Sequence, residues 1–175
     1  MSLKEIYEKY ITLTDKGSTH SYLETYEELL SPFVGKNAVL LELGVHLGGS
    51  LLLWNDYLVN AAIHGVDIIE KPARICEIPN IKYYRLNCSD HKVLDGEFRG
   101  TEFDIIIDDA SHVLRQQIAS FNILYPRLKK GGVYVIEDIL DGNFGPLRAL
   151  DKSAKVIDMR SLREKRDNVL VVYRK

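Results

Sequence analysis

The sequence predicts an α/β fold built on a seven-stranded, mostly parallel sheet, and three observations carry that expectation. Apolar runs of strand length recur along the chain, stretches with helical spacing separate the first five, and the last two are joined by a linker too short for a crossover helix. In chain order, Leu3–Tyr10 and Tyr22–Leu30 read as helices flanking the polar segment TDKGSTH, so that residues 1–37 form a helical N-terminal piece whose polar part folds as a lid over the binding end of the sheet. AVLLEL (38–43), AIHGVD (62–67), IKYYRL (81–86), FDIIID (103–108) and VYVIED (133–138) are apolar enough to be strands of a parallel sheet covered on both faces. Between them, Ser50–Asn60 and Val113–Leu128 are the clearest helices, and Gly131-Gly132 is expected to close the second and turn into the fifth strand. AKVIDM (154–159) and NVLVVYR (168–174), separated only by SLREKRD, are expected to pair antiparallel at a sheet edge. Five parallel strands followed by such a pair is the layout of the Rossmann-like methyltransferase fold.

Composition bounds the function. With 175 residues, 46% hydrophobic and 27% charged, the chain fits one globular domain with a real core. A formal net charge of −2 disfavours nucleic acid and anionic lipid as partners, because phosphate binding draws on a basic surplus. Cys76 and Cys88 have neither metal-ligand spacing nor the density of a disulfide scaffold, and no apolar stretch reaches the length of a membrane span. The expected location is the cytoplasm. Repeats and low-complexity tracts are absent.

The chemistry gathers at the carboxyl ends of the strands, where open α/β sheets bind ligands. DIIIDDASH delivers Asp108, Asp109 and His112 there, and the fifth strand delivers Glu137 and Asp138. Two carboxylates about 4 Å apart repel by roughly 4 kcal/mol at an effective dielectric near 20, so such a cluster needs a cation or shared protons. Strand alternation points Asp108 and Asp109 to opposite sides, which leaves Asp109 as the candidate ligand and Asp108 near a cofactor; the same rule argues against Glu137 and Asp138 acting together.

After the first strand, the turn from Glu42 through Gly44, Gly48 and Gly49 to Ser50 opens a helix whose free N–H groups suit an anionic ligand. It lacks the spacing of a dinucleotide fingerprint and the lysine of a phosphate loop, and taken alone it equally describes a plain strand-to-helix turn. Asp67, with Ile68 beside it, stands where an acid accepts ribose hydroxyls, so an adenosine-containing ligand is favoured, S-adenosylmethionine best of all. Asn87, Cys88 and Ser89 follow the third strand on the adenine side, although Ser89 or Asp90 could simply cap a helix. Glu42 could instead pair structurally with Lys16 or another cation.

On these residues the chain resembles the metal-dependent sugar O-methyltransferases of macrolide biosynthesis, the macrocin and mycinamicin type. The likeness runs through TDKGSTHSYLETYEELL, LELGVHLGGSLLLWNDYLVNAAIHGVDI, FDIIIDDASH and LYPRLKKGGVYVIEDI, about the first four fifths of the sequence. It implies that Asp109, Glu137 and Asp138 bind a divalent cation, magnesium, and that His112 is the general base. It also implies that Gly44, Gly48 and Ser50 line the methionine end of the cofactor, Asp67 its ribose, and Asn87, Cys88 and Ser89 its adenine side. This chain departs from the pattern at Asn87, where the family usually has aspartate, at Ala110, where it has glycine, and at LDGNFG, where it has a Ser-Tyr segment. No counterpart of the large N-terminal domain of some members stands in these residues.

An all-oxygen carboxylate set selects a hard cation such as Mg²⁺, and a base three residues beyond Asp109 can reach the same substrate hydroxyl. The expected activity is therefore S-adenosylmethionine-dependent O-methylation of a sugar-containing small molecule, with a homo-oligomer compatible with the sequence. Catechol-type O-methylation and a non-catalytic S-adenosylmethionine-binding module stand as alternatives. Lys16, His20, Tyr22 and His46 read equally as lid contacts or ordinary packing. The helical spacing of Trp54 and Tyr57 marks them as core.

Overall fold

The computed structural model describes residues 1–175. Seven strands, β1 (Val39–Leu43), β2 (Ala62–Asp67), β3 (Ile81–Arg85), β4 (Phe103–Asp108), β5 (Leu128–Ile136), β6 (Lys155–Asp158) and β7 (Val169–Arg174), form one sheet in the order β3-β2-β1-β4-β5-β7-β6. The first five are parallel; β7 runs antiparallel to both β5 and β6. The order reverses between β1 and β4, so the crevice at the carboxyl ends of these two strands is the natural ligand position. This is the expected fold, with each strand within a few residues of its sequence reading except the fifth.

The helices are α1 (Leu3–Tyr7), α2 (Leu23–Leu30), α3 (Gly49–Leu58), α4 (His91–Glu97), α5 (Leu114–Leu124) and α6 (Phe144–Arg148). Two apolar layers cover the sheet. One joins Leu3, Ile6, Tyr22, Tyr26 and Leu30 of the N-terminal segment to Trp54, Tyr57 and the sheet residues Leu40, Ile105 and Val133. The other packs Phe121 and Leu124 of α5 on Leu41, Ile106 and Tyr134. The alternation along each strand divides its side chains between these layers, as period two requires. The N-terminal helices are thus part of the core on one face, and only the segment between them can act as a lid. No helix is long and apolar enough to cross a membrane.

Two expectations are corrected. The helix from Val113 does not reach Leu128; Pro126 at the start of a short 3-10 turn ends it, because proline cannot donate the next helical hydrogen bond. The Gly131-Gly132 pair therefore does not cap that helix but lies inside β5, where the register against β4 slips and Gly131 has a φ of +83°. Glycine bears that conformation without strain.

On the second face His64 sits among Tyr84, Phe98 and Phe103, with Nδ1 2.9 Å from the Tyr84 hydroxyl. Burial, aided by Lys82, lowers its pKa. The unfolded chain then binds a proton that the folded chain refuses, so stability is complete above the ordinary histidine pKa and declines as pH falls through it toward the folded value. Urea unfolding at pH 7.5 and 5.5 should show a larger acid loss in the wild type than in His64→Phe; equal losses would contradict this role of the ring.

Candidate active site

A cavity of about 780 Å³ opens at the carboxyl ends of β1, β2 and β4. Of the residues expected in the site, Gly44, Ser50, Asp67, Ile68, Asn87, Cys88, Ser89, Asp109, His112 and Asp138 line it. Ile11 to Asp15 and Ser18 of the N-terminal segment close its other wall, which places the expected lid against the cavity.

Glycine does two separate jobs here. Gly44 has a φ of +85°, and a Cβ there would meet the Asp109 carbonyl oxygen at 2.1 Å, so the turn after β1 and the turn after β4 can touch only through glycine. A Cβ on Gly49 would lie 2.5 Å from the Leu13 backbone, so the start of α3 is where the N-terminal segment comes down on the sheet. Asp67 anchors this turn: its Oδ2 accepts from the Val45 and His46 N–H groups, both at 2.8 Å, and its Oδ1 from Ile68 N–H at 2.7 Å. Asp67 thus shapes the loop while it lines the cavity.

Three cofactor expectations need correction. Glu42 is fully buried behind the cavity wall, with Oε2 accepting from Trp54 Nε1 at 3.2 Å, so it does not face a ligand in the cavity. Asp108 and Gly48 are likewise set behind the wall rather than on it. Burial pushes the carboxyl groups of Glu42 and Asp108 up to about 7. For Asp108 the cause is the strand alternation that sends its neighbour Asp109 into the cavity.

The acids are joined by a residue whose role the sequence left open. Lys16, 1% exposed, places Nζ 2.7 Å from Asp109 Oδ2, 2.6 Å from Glu137 Oε1 and 3.6 Å from Glu42 Oε1. Burial opposes its charge, but the carboxylates of Asp109, Glu137 and Glu42 outweigh that cost and raise its pKa well above the usual lysine value. Tyr26 donates its hydroxyl to the same Glu137 Oε1. Burial and the Asp109 carboxylate raise the pKa of Glu137 in turn. The sequence offered a structural pairing of Glu42 with Lys16 as an alternative, but not that the same ammonium would also meet Asp109 and Glu137.

Asp138 has a φ of +58°, so it leaves the line of β5, and neither of the two ligand sets contains both it and Glu137. Glu137 points inward to Lys16 and Tyr26, whereas Asp138 turns outward and accepts from Tyr22 Oη at 2.7 Å. His20 Nδ1 lies 3.5 Å from Asp138 Oδ1, and His112 Nε2 3.9 Å from Asp138 Oδ2. Burial, with Asp109 next, raises the pKa of Asp138, while burial, aided by Lys165, lowers that of His20 despite its acidic neighbours. Ligand atoms lie within 4.8 Å of one another in two sets, Glu42-Asp109-Glu137 and Asp109-His112-Asp138, which share Asp109. Trp54 and Tyr57 are core, as their spacing indicated.

No family model matches the chain. It is 34% identical over 134 residues to the 8-demethyl-8-alpha-L-rhamnosyl tetracenomycin-C 2'-O-methyltransferase of Streptomyces olivaceus, which covers 72% of this chain and 35% of that protein. With the mycinamicin VI 2''-O-methyltransferase of Micromonospora griseorubida it shares 32% identity over 145 residues, 78% of this chain and 36% of the relative. The chain therefore spans about a third of the length of these relatives. Among solved structures, the MycE methyltransferase from the mycinamycin biosynthetic pathway, in complex with Mg and SAH, superposes with a TM-score of 0.81 at 25% identity, over 100% of this chain and 55% of that one.

The contact at Gly44 is the most confined in the site. Gly44→Ala is expected to lower stability by at least about 2 kcal/mol, since both the φ and the Asp109 carbonyl resist a side chain. Thermal unfolding checks it, and an unchanged melting temperature would show that the two turns are not so tightly packed.

Proposed function

Since this chain is related to the sugar O-methyltransferases, at 30–34% identity across 70–78% of its length, we propose that it is an S-adenosylmethionine-dependent, magnesium-assisted O-methyltransferase acting on a hydroxyl of a sugar or glycosylated small molecule. One observation carries this reading: a single cavity runs from Asp67, Asn87 and Cys88 at one end to Asp109, His112 and Asp138 at the other. A methyl donor seated along the Gly44 turn would therefore have its reactive end beside the acids.

Both groups fit the residues present. Gly44 and Ser50 line the cavity beside Asp67, and the start of α3 offers N–H groups to an anion there. Asp109, Glu137 and Asp138 supply hard oxygen donors of the kind magnesium prefers. When bound, such a cation supplies a Lewis acid that lowers the pKa of an acceptor hydroxyl and fixes its orientation. S-adenosylmethionine supplies the electrophilic methyl carbon.

The rest falls to the chain. Asp67, whose carboxylate already accepts from the Val45, His46, Ile68 and Ile69 N–H groups, would border the ribose, and Ile68, Asn87, Cys88 and Ser89 would border the adenine. His112, whose side chain is 42% exposed and reaches toward Asp138, would take the proton of the acceptor hydroxyl as general base. Tyr22 and His20 hold Asp138 from behind, so that its outward oxygen can orient the imidazole. The N-terminal segment would exclude water from the methyl-transfer point.

Binding and turnover should separate. S-adenosylhomocysteine is expected to bind, by calorimetry, with or without magnesium, while methylation of a rhamnosylated acceptor is abolished by chelator and in Asp109→Ala. His112→Ala should lower kcat by about 10²- to 10⁴-fold with cofactor affinity unchanged. Full turnover in the presence of chelator would remove the acids from the mechanism.

A further inference from the structure

We propose that Lys16 is a built-in counter-cation that competes with a divalent metal ion for Asp109 and Glu137, so that metal binding is coupled to release of the segment that carries it; this rests on the cation site proposed above. The ammonium lies between Asp109 Oδ2 and Glu137 Oε1, at 2.7 and 2.6 Å, where a metal bridging the same oxygens would sit. Two cations cannot share that point, because like charges would occupy one set of ligands.

The compensation Lys16 gives is incomplete. Glu42 Oε1 is fully buried, has no hydrogen-bond partner, and faces Nζ from 3.6 Å, beyond hydrogen-bonding reach. Glu42, Asp109 and Glu137 bring three carboxyl groups within 4.8 Å, against one ammonium from Lys16. A divalent ion matches such a cage better than an ammonium does, and its ligand distances are shorter.

The segment is built to respond locally. Ser18, Thr19 and His20 N–H groups all donate to the Asp15 carbonyl, and Tyr22 N–H to that of Lys16. Ser21 N–H donates to Asn168 Oδ1, and Arg163 reaches the carbonyls of Gly17 and Ser18. Lys16 is the point at which this turn is fastened to Asp109 and Glu137; Tyr22 and His20 meet Asp138, and further ties run to the loop between β6 and β7. Because Asp15 and Ser18 also line the cavity, withdrawal of Lys16 would change the wall that the acceptor meets.

Manganese alone serves as the probe. Binding to the wild type and Lys16→Met would be measured by electron paramagnetic resonance, and amide exchange at residues 14–22 followed with and without the ion. Trp54, the single tryptophan, hydrogen-bonded to Glu42, gives a fluorescence signal from the cage. Competition predicts at least fivefold tighter binding in Lys16→Met and faster exchange of the segment in the wild type when manganese is added. If both proteins bind equally, or the variant more weakly, with exchange unchanged, Lys16 is a permanent neighbour of the metal and the competition is overturned while the cation site stands. If neither binds manganese, the cation site falls and the competition with it. Should Lys16→Met fail to fold, wild-type exchange decides: no acceleration at a manganese concentration that saturates the resonance signal overturns the proposal.

Discussion

Buried carboxylates cannot be left uncompensated, and the active end of this sheet is arranged around that constraint. Glu42 is the last residue but one of β1 and Glu137 follows β5, and both are removed from water, with Asp109, just past β4, between them. Each pair would repel by roughly 4 kcal/mol at 4 Å and an effective dielectric near 20, on top of the desolvation of each ion. One ammonium, a tyrosine hydroxyl and an indole N–H meet part of that demand, and Glu42 Oε1 is left without a hydrogen-bond partner. All three donors come from outside the sheet: Lys16 from the N-terminal segment, Tyr26 from α2 and Trp54 from α3. The electrostatics of the sheet edge therefore dictates where the N-terminal helices dock, and the tilted packing of Tyr26 on Trp54, ring centroids 4.9 Å apart, makes that docking part of the hydrophobic core.

The same cluster explains the backbone conformations at the cavity. His46, His112 and Asp138 all have positive φ, at 47°, 52° and 58°, and all three line the cavity. Left-handed backbone costs a residue with a side chain on the order of 1 kcal/mol, so three such turns at one end of the sheet need tertiary support. Two of them receive it from hydrogen bonds: the Asp67 carboxylate accepts from the His46 N–H, and the Tyr22 hydroxyl donates to Asp138. The strain has a geometric product: Asp138 leaves the line of β5 and His112 comes back toward it. Carboxylates that a straight strand would send to opposite faces are thus split between an inner cage and an outer wall.

This division gives the acids distinct tasks. The inner oxygens of Glu42, Asp109 and Glu137 face Lys16, whereas Asp138 faces the imidazoles of His20 and His112 at the cavity surface. Asp109 belongs to both groups. A cation held here, a base beside it and a methyl donor along the Gly44 turn would fall within one enclosure, and that proximity, rather than any single residue, is what the proposed methyl transfer draws on.

The sequence by itself determined the sheet, its parallel core with an antiparallel final pair, and the strand ends where Asp67, Asp109, His112 and Asp138 emerge, because burial on both faces writes continuous apolar runs and the polar residues that interrupt them mark the open edge. It also placed the Gly44 turn and the core roles of Trp54 and Tyr57. Tertiary structure alone decided that Gly131 and Gly132 relieve a register slip within β5, that Glu42 and Asp108 turn away from the cavity, and that Lys16 rather than solvent answers the inner acids. The physical reason is range. Periodicity is a local property of the chain, whereas the partner of a buried charge lies wherever folding brings an opposite one, here 93 residues from Asp109 and 121 from Glu137.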